Sequence, residues 1–130
     1  MHRFFLITGS LLGALSVALG AFGAHSLKKI VSPEAVATFE TGVRYQFYHT
    51  FALLLIAVLY EKFTNKWLVW AGNSFLAGII LFSGSLYLLA LLNASSNVGL
   101  RKIGIITPFG GLFFIAGWLF LMWGVTRRII

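Results

Sequence analysis

Apolar residues run in four long blocks along this 130-residue chain, at about residues 4–24, 42–60, 67–92 and 103–125. A helix needs roughly 20 predominantly apolar residues to cross a hydrocarbon core, and inside lipid every backbone N–H and C=O must be satisfied within the protein. The blocks therefore predict four membrane-spanning helices, with almost no chain left over for a soluble domain. A soluble bundle would show polar positions recurring at helical spacing, whereas residues 75–92 are interrupted only by serines, glycines and one tyrosine. The expected fold is all-α: one integral membrane four-helix bundle spanning residues 1–130.

The polar breaks between the blocks sharpen this picture. Residues 25–41 are long enough to hold a short interfacial helix between the first and second spans. Ser32, Pro33 and Glu34 form a helix start, with a hydroxyl cap, a proline in the first turn and an acid at the positive end of the dipole. Val36 and Phe39 are expected to dip into the interface, Glu40 and Arg44 to pair one turn apart, and Gly42 to mark the bend into the second span. The breaks at 61–66 and 93–102 are short, so sequence neighbours pack antiparallel.

Arg3 ahead of an apolar run that ends in small residues has the outline of a signal peptide. The run is longer than a usual signal core, and Phe22 lies three before a cut after Ala24, although Ala21 and Gly23 permit a cut after Gly23. The reading favours an uncleaved helix.

Let side A be the membrane side of both termini and the 61–66 turn, and side B the other. Side A carries Arg3, Lys62, Lys66, Arg127 and Arg128; side B carries Lys28, Lys29, Arg44, Arg101 and Lys102, five on each. The positive-inside rule returns a tie, which tips toward cytoplasmic termini when Arg44 is discounted as lying inside a helix. The tie also permits dual topology. Trp67, Trp70, Trp118 and Trp123 all fall toward side A and are expected to anchor that interface.

Small residues predict how the spans meet. Gly9, Gly13, Ser16, Gly20 and Gly23 fall on one stripe of the first helix, and Ala71, Ser74, Gly78 and Ser85 repeat the pattern in the third. Gly110, Gly117 and Gly124 do so in the fourth. Lipid tails solvate leucine as well as protein does, so helices associate through close contact and hydrogen bonds, which such stripes allow. The reading assigns the stripes to the bundle's own interior, with a second copy or a membrane-protein partner as the alternative use.

Composition then removes whole classes of function. The net charge of +7 comes from short basic pairs at span ends, which suit headgroup phosphates and not nucleic acid. The chain has no cysteine and no aspartate, and Glu34, Glu40 and Glu61 all lie near span ends, which leaves no intramembrane carboxylate pair for acid–base work or ordinary cation coupling. No triad-like set, HExxH motif or phosphate loop occurs. Pro108 reads as a first-turn proline or a mild kink. The reading assigns no metal, no cofactor and no enzymatic activity.

What polar chemistry remains concentrates toward side B: His25, then Arg44, Tyr45, Gln46 and His49, then Ser85, Tyr87 and Asn93, and finally Thr107. At about 100° per residue, Gly42, Tyr45, Gln46, His49 and Leu53 share one face of the second helix, and Arg44 lies about 140° from His49. His49 is thus expected to face protein, roughly 7 Å deeper than Arg44, where an unsatisfied imidazole is costly. A hydrogen bond to a serine, threonine or tyrosine explains it without a ligand; proton relay, or haem iron held between His25 and His49, are the functional alternatives. His25 lies about 160° from Gly9, off the packing stripe.

Two motifs carry a family resemblance: Gly20, Ala21, Phe22, Gly23, Ala24 and His25 followed by Leu27 and Lys28, and Tyr45, Gln46, Phe47, Tyr48 and His49. Together with Thr107, Pro108, Phe109, Gly110 and Gly111, and with Gly117 and Trp118, they resemble the domain of unknown function 423 family over the whole chain. The resemblance implies a small four-helix protein of bacterial cytoplasmic membranes, with eukaryotic relatives called transmembrane protein 256, and implies no settled activity. It draws His25, Tyr45, Gln46 and His49 toward the same site. The functional expectation is a non-enzymatic accessory or membrane-integrity protein, with membrane lipids as partners, whose side-B cluster organises the bundle or receives a lipid headgroup or small amphiphile. The alternatives are a small oligomeric transporter or channel, and a haem- or quinone-binding redox protein.

Overall fold

The computed structural model describes residues 1–93 and 103–127. Four helical units in it are long and apolar enough to cross a membrane. The first is α1 (Arg3–Ala24), and α2 (Pro33–Leu59) is the second. The third is built from α3 (Lys66–Gly78), a π-helical turn (Ile79–Ser83) and α4 (Gly84–Asn93); α5 (Ile106–Thr126) is the fourth.

Local chemistry explains most boundaries. Ser32 Oγ accepts from the Ala35 N–H with Pro33 in the first turn, the start that the sequence implies. Asn65 caps α3 by accepting from Trp67 and Leu68 N–H at 3.0 and 3.3 Å. Its Nδ2 donates to the carbonyls of Phe63 and Gly124, both at 3.0 Å, so one side chain fixes the side-A turn to the end of α5. At the same surface His2 caps α1 and donates its N–H to the Ala57 carbonyl at 2.9 Å. Pro108 sits in the first turn of α5 and needs no kink.

The interfacial segment differs from expectation. There is no separate interfacial helix and no bend at Gly42: α2 runs unbroken for 27 residues from Pro33. A single 3-10 turn at Leu27–Lys29 makes the connection from α1. The cause is a local core, in which Val36 and Phe39 pack against Leu27, Val43 and Ala90 and do not enter lipid. Glu40 and Arg44 form no ion pair; among the described residues the one that forms joins the Met1 amino group to Glu61 at 3.9 Å. The expected break at 93–102 lies outside the described residues from 94 onward, and Arg128 lies outside them too.

The helices form an open arrangement. α1 packs along α2, α5 packs along α3 and the π turn, and α2 meets α3, the π turn and α4. Between α2 and α5 side chains reach across, without close backbone approach along their lengths. Leu53, Ile56, Leu68, Phe75 and Phe114 anchor a core toward side A, and Leu27, Phe39 and Ala90 anchor the smaller core toward side B.

The small-residue stripes serve these contacts. A Cβ at Gly9 would press on Leu54, at Gly78 on the Phe114 ring and at Gly117 on the Phe75 ring, while one at Gly23 would meet Phe39 at 3.0 Å. Gly13 and Gly20 are less crowded, with Thr50 and Val43 at 3.8 and 3.6 Å. At Gly110 a Cβ would overlap the Phe82 backbone in the π turn, which cannot rotate away as a side chain can. A π turn adds a residue to one helical turn and pushes it outward.

Candidate functional site

The polar residues of the spans do not gather into one pocket. α2 divides them between two of its faces.

The first face is a closed network. Gln46, 1% exposed, donates through Nε2 to Ser16 Oγ at 2.8 Å and to the Leu12 carbonyl at 3.3 Å, and its Oε1 accepts from the Tyr87 hydroxyl at 2.7 Å. Ser16 in turn donates to the Leu12 carbonyl. One amide thus joins α1, α2 and α4, and both amide hydrogens are used. Gly42 makes room for the Tyr87 ring, and its carbonyl accepts from Ser83 Oγ at 2.7 Å. One turn deeper, Thr50 Oγ1 is buried with no hydrogen-bond partner among the described residues.

The second face is an aromatic cleft. His49, 4% exposed, lies flat on Phe114 with ring centroids 3.6 Å apart and planes 8° apart. Its Nε2 is 3.1 Å from the Trp118 indole Nε1, and its Nδ1 is 2.7 Å from the Tyr45 carbonyl. Indole N–H is a donor only and a carbonyl an acceptor only, so the pair of contacts selects the neutral imidazole with the proton on Nδ1. Trp118 is therefore not a side-A interface anchor. It sits mid-span and donates to a histidine, whereas Trp67, Trp70 and Trp123 form the side-A cluster with Lys66 and Arg127 over their rings. Above His49 opens a cleft of about 500 Å³, with Tyr45 and Tyr48 on the α2 wall, Phe82 at one edge, and Gly111, Phe114, Ile115 and Trp118 on the α5 wall. The Tyr45 and Tyr48 hydroxyls make no hydrogen bond to a described residue.

The remaining sequence candidates scatter. Ser85 and Thr107 pair at 2.6 Å; Ser85 gives its only hydrogen to the Phe82 carbonyl, so Thr107 is the donor between them. Arg44 is exposed on the outer side of α2, as its angle implies. His25 is exposed at the C-cap of α1, on the far side of α2 from the cleft, so the structure does not bring it to His49. Asn93 ends α4, and its side chain lies outside what is described. Among the described residues no three of His, Asp and Glu converge as a metal-binding set.

The sequence reading missed Phe82, Gly111, Phe114 and Ile115. Their signal was present only as Phe114 and Trp118 one turn apart, beside two adjacent glycines. In so apolar a span nothing separates such a pair from its lipid-facing neighbours.

Fold and site together define a polytopic α-helical membrane protein with a lateral aromatic cleft. The family model described as "Protein of unknown function (DUF423)" matches residues 19–111, a segment that holds Gln46, His49 and Tyr87. The chain belongs to that family. It is 41% identical over 125 residues to the UPF0382 inner membrane protein YgdD of Escherichia coli (strain K12), covering 96% of this chain and 91% of the relative. It is 43% identical over 120 residues to the UPF0382 membrane protein SH2409 of Staphylococcus haemolyticus, covering 92% and 93%. A UPF0382 membrane protein of Haemophilus influenzae is 43% identical over 124 residues, covering 95% and 94%. The chain is thus a multi-pass protein of the bacterial cytoplasmic membrane. No solved structure matches it.

Proposed function

We propose that this protein is a non-enzymatic accessory component of the cytoplasmic membrane that binds the apolar part of an amphiphile in the α2–α5 cleft, while the Gln46 network holds the bundle in shape. The observation that carries the reading is the cleft itself. At about 500 Å³ it falls within the size range of small-molecule sites, and its wall of rings with few polar atoms suits a hydrocarbon chain. The His49–Trp118 hydrogen bond supports the reading as well, because it fixes the floor of the cleft before any ligand arrives.

The test is lipid-retaining native mass spectrometry with an absorbance spectrum on gently purified protein, wild type beside His49→Ala. A stoichiometric bound amphiphile in the wild type, weakened in the variant, is the expected result. Equal, loosely bound lipid in both, with the variant only less heat-stable, would reduce His49 to a structural residue.

A further inference from the structure

We propose that the amphiphile is an anionic glycerophospholipid, its phosphate held at Arg44 and one acyl chain laid along the cleft between α2 and α5. This inference rests on the cleft being a binding site and adds the chemistry of what it selects.

Arg44 does not line the cleft, but it lies one helical turn toward side B from Tyr48 and about 40° from it around α2, at the lipid-facing rim of the wall that Tyr45 and Tyr48 form. It is exposed and has no carboxylate partner among the described residues. With Lys62 and Lys66 marking the side-A surface, Arg44 lies about 22 Å along α2 from its Leu59 end, within a hydrocarbon core about 30 Å thick. A guanidinium at that depth extends along its own stem toward the side-B phosphates. Below it the cleft descends for about another 7 Å, the axial distance from Arg44 to His49, which is the direction an acyl chain takes from its headgroup. The Tyr45 and Tyr48 hydroxyls, without a hydrogen-bond partner among the described residues, sit on the cleft wall between cation and floor. A zwitterionic lipid offers the same chain but cancels much of the charge that Arg44 attracts.

Trp118 reports on the cleft from within. With Trp67→Phe, Trp70→Phe and Trp123→Phe it becomes the only tryptophan, and brominated acyl chains quench it on contact. The protein is reconstituted in phosphatidylcholine vesicles doped with brominated phosphatidylglycerol or with brominated phosphatidylcholine. We expect the anionic lipid to quench at about a fivefold lower mole fraction, the factor that one basic residue's attraction to anionic lipid supplies. Arg44→Gln abolishes that preference and Arg44→Lys keeps it; the side chain at position 44 is exposed, so the fold is not at stake. Equal quenching by the two lipids, or a preference that survives Arg44→Gln, overturns the inference.

Gly111→Leu separates this failure from failure of the cleft itself. A Cβ at Gly111 meets only Phe82 Cδ2 at 3.9 Å, so the leucine fits and fills the space. Relief of quenching in Gly111→Leu without any lipid preference keeps the cleft as a site and removes the headgroup. Unchanged quenching in Gly111→Leu means that Trp118 sees only bulk lipid, and both readings fall.

Discussion

Gln46 and His49 stand three residues apart on one helix, both buried, yet their surroundings are opposite in kind. Gln46 looks into a closed junction of α1, α2 and α4 where each of its amide hydrogens has an acceptor and its oxygen has a donor. His49 also has both nitrogens engaged, but one ring face lies on Phe114 and the space above it opens to lipid. Satisfied polar groups sealed among three helices favour one arrangement of those helices. Satisfied polar groups at the floor of an open cleft join fewer helices and leave one side of the site uncovered. The same chemistry, hydrogen-bonded and neutral, is thus sealed among helices on one face and lines an open cleft on the other.

The largest expected test of that contrast is a pair of glycine substitutions. Gly42→Leu puts a Cβ 2.8 Å from the Tyr87 ring and 3.3 Å from the Ser83 carbonyl, with no space to relax, and should cost about 2–3 kcal/mol of stability in detergent unfolding. Gly111→Leu on the cleft side should change stability by less than about 0.5 kcal/mol. Equal losses would show that the two faces are not different in kind.

Next in size is Gln46→Leu, which removes the acceptor of the Tyr87 hydroxyl and should cost about 1–2 kcal/mol. In a double-mutant cycle with Tyr87→Phe the combined loss should be smaller than the sum of the two, because each single substitution already breaks the same hydrogen bond. Additive losses would mean that the 2.7 Å contact carries no energy.

The smallest effect has the opposite sign. Thr50→Val removes a buried hydroxyl that has no partner among the described residues, at nearly constant volume, and should raise stability by up to about 1 kcal/mol. A loss on that substitution would show that the hydroxyl has a bound water as its partner and belongs to the polar network after all.

The four spans, their antiparallel order and the small-residue stripes were legible in the sequence, because lipid imposes length and apolarity on any helix that crosses it. A helix start at Ser32, Pro33 and Glu34 was legible as well, since those residues act within a single turn, but it opens the second span itself and not the separate interfacial helix expected there. The facing of His49 and the exposure of Arg44 followed from helical angle alone. The expected bend at Gly42 failed because that glycine serves a ring on another helix, which composition does not reveal.

Which neighbour each polar residue meets was decided only by the tertiary structure. In water an apolar stripe points to the core, but in lipid both core and surroundings are apolar, so a helix's pattern does not say which of its sides is covered. The sequence by itself therefore determined how many times the chain crosses the membrane and the depth of the polar groups on α2, though not that of Trp118. The order of the helices around α2 decided that Gln46 would be enclosed, that Trp118 would bond to His49, and that a cleft would remain between α2 and α5.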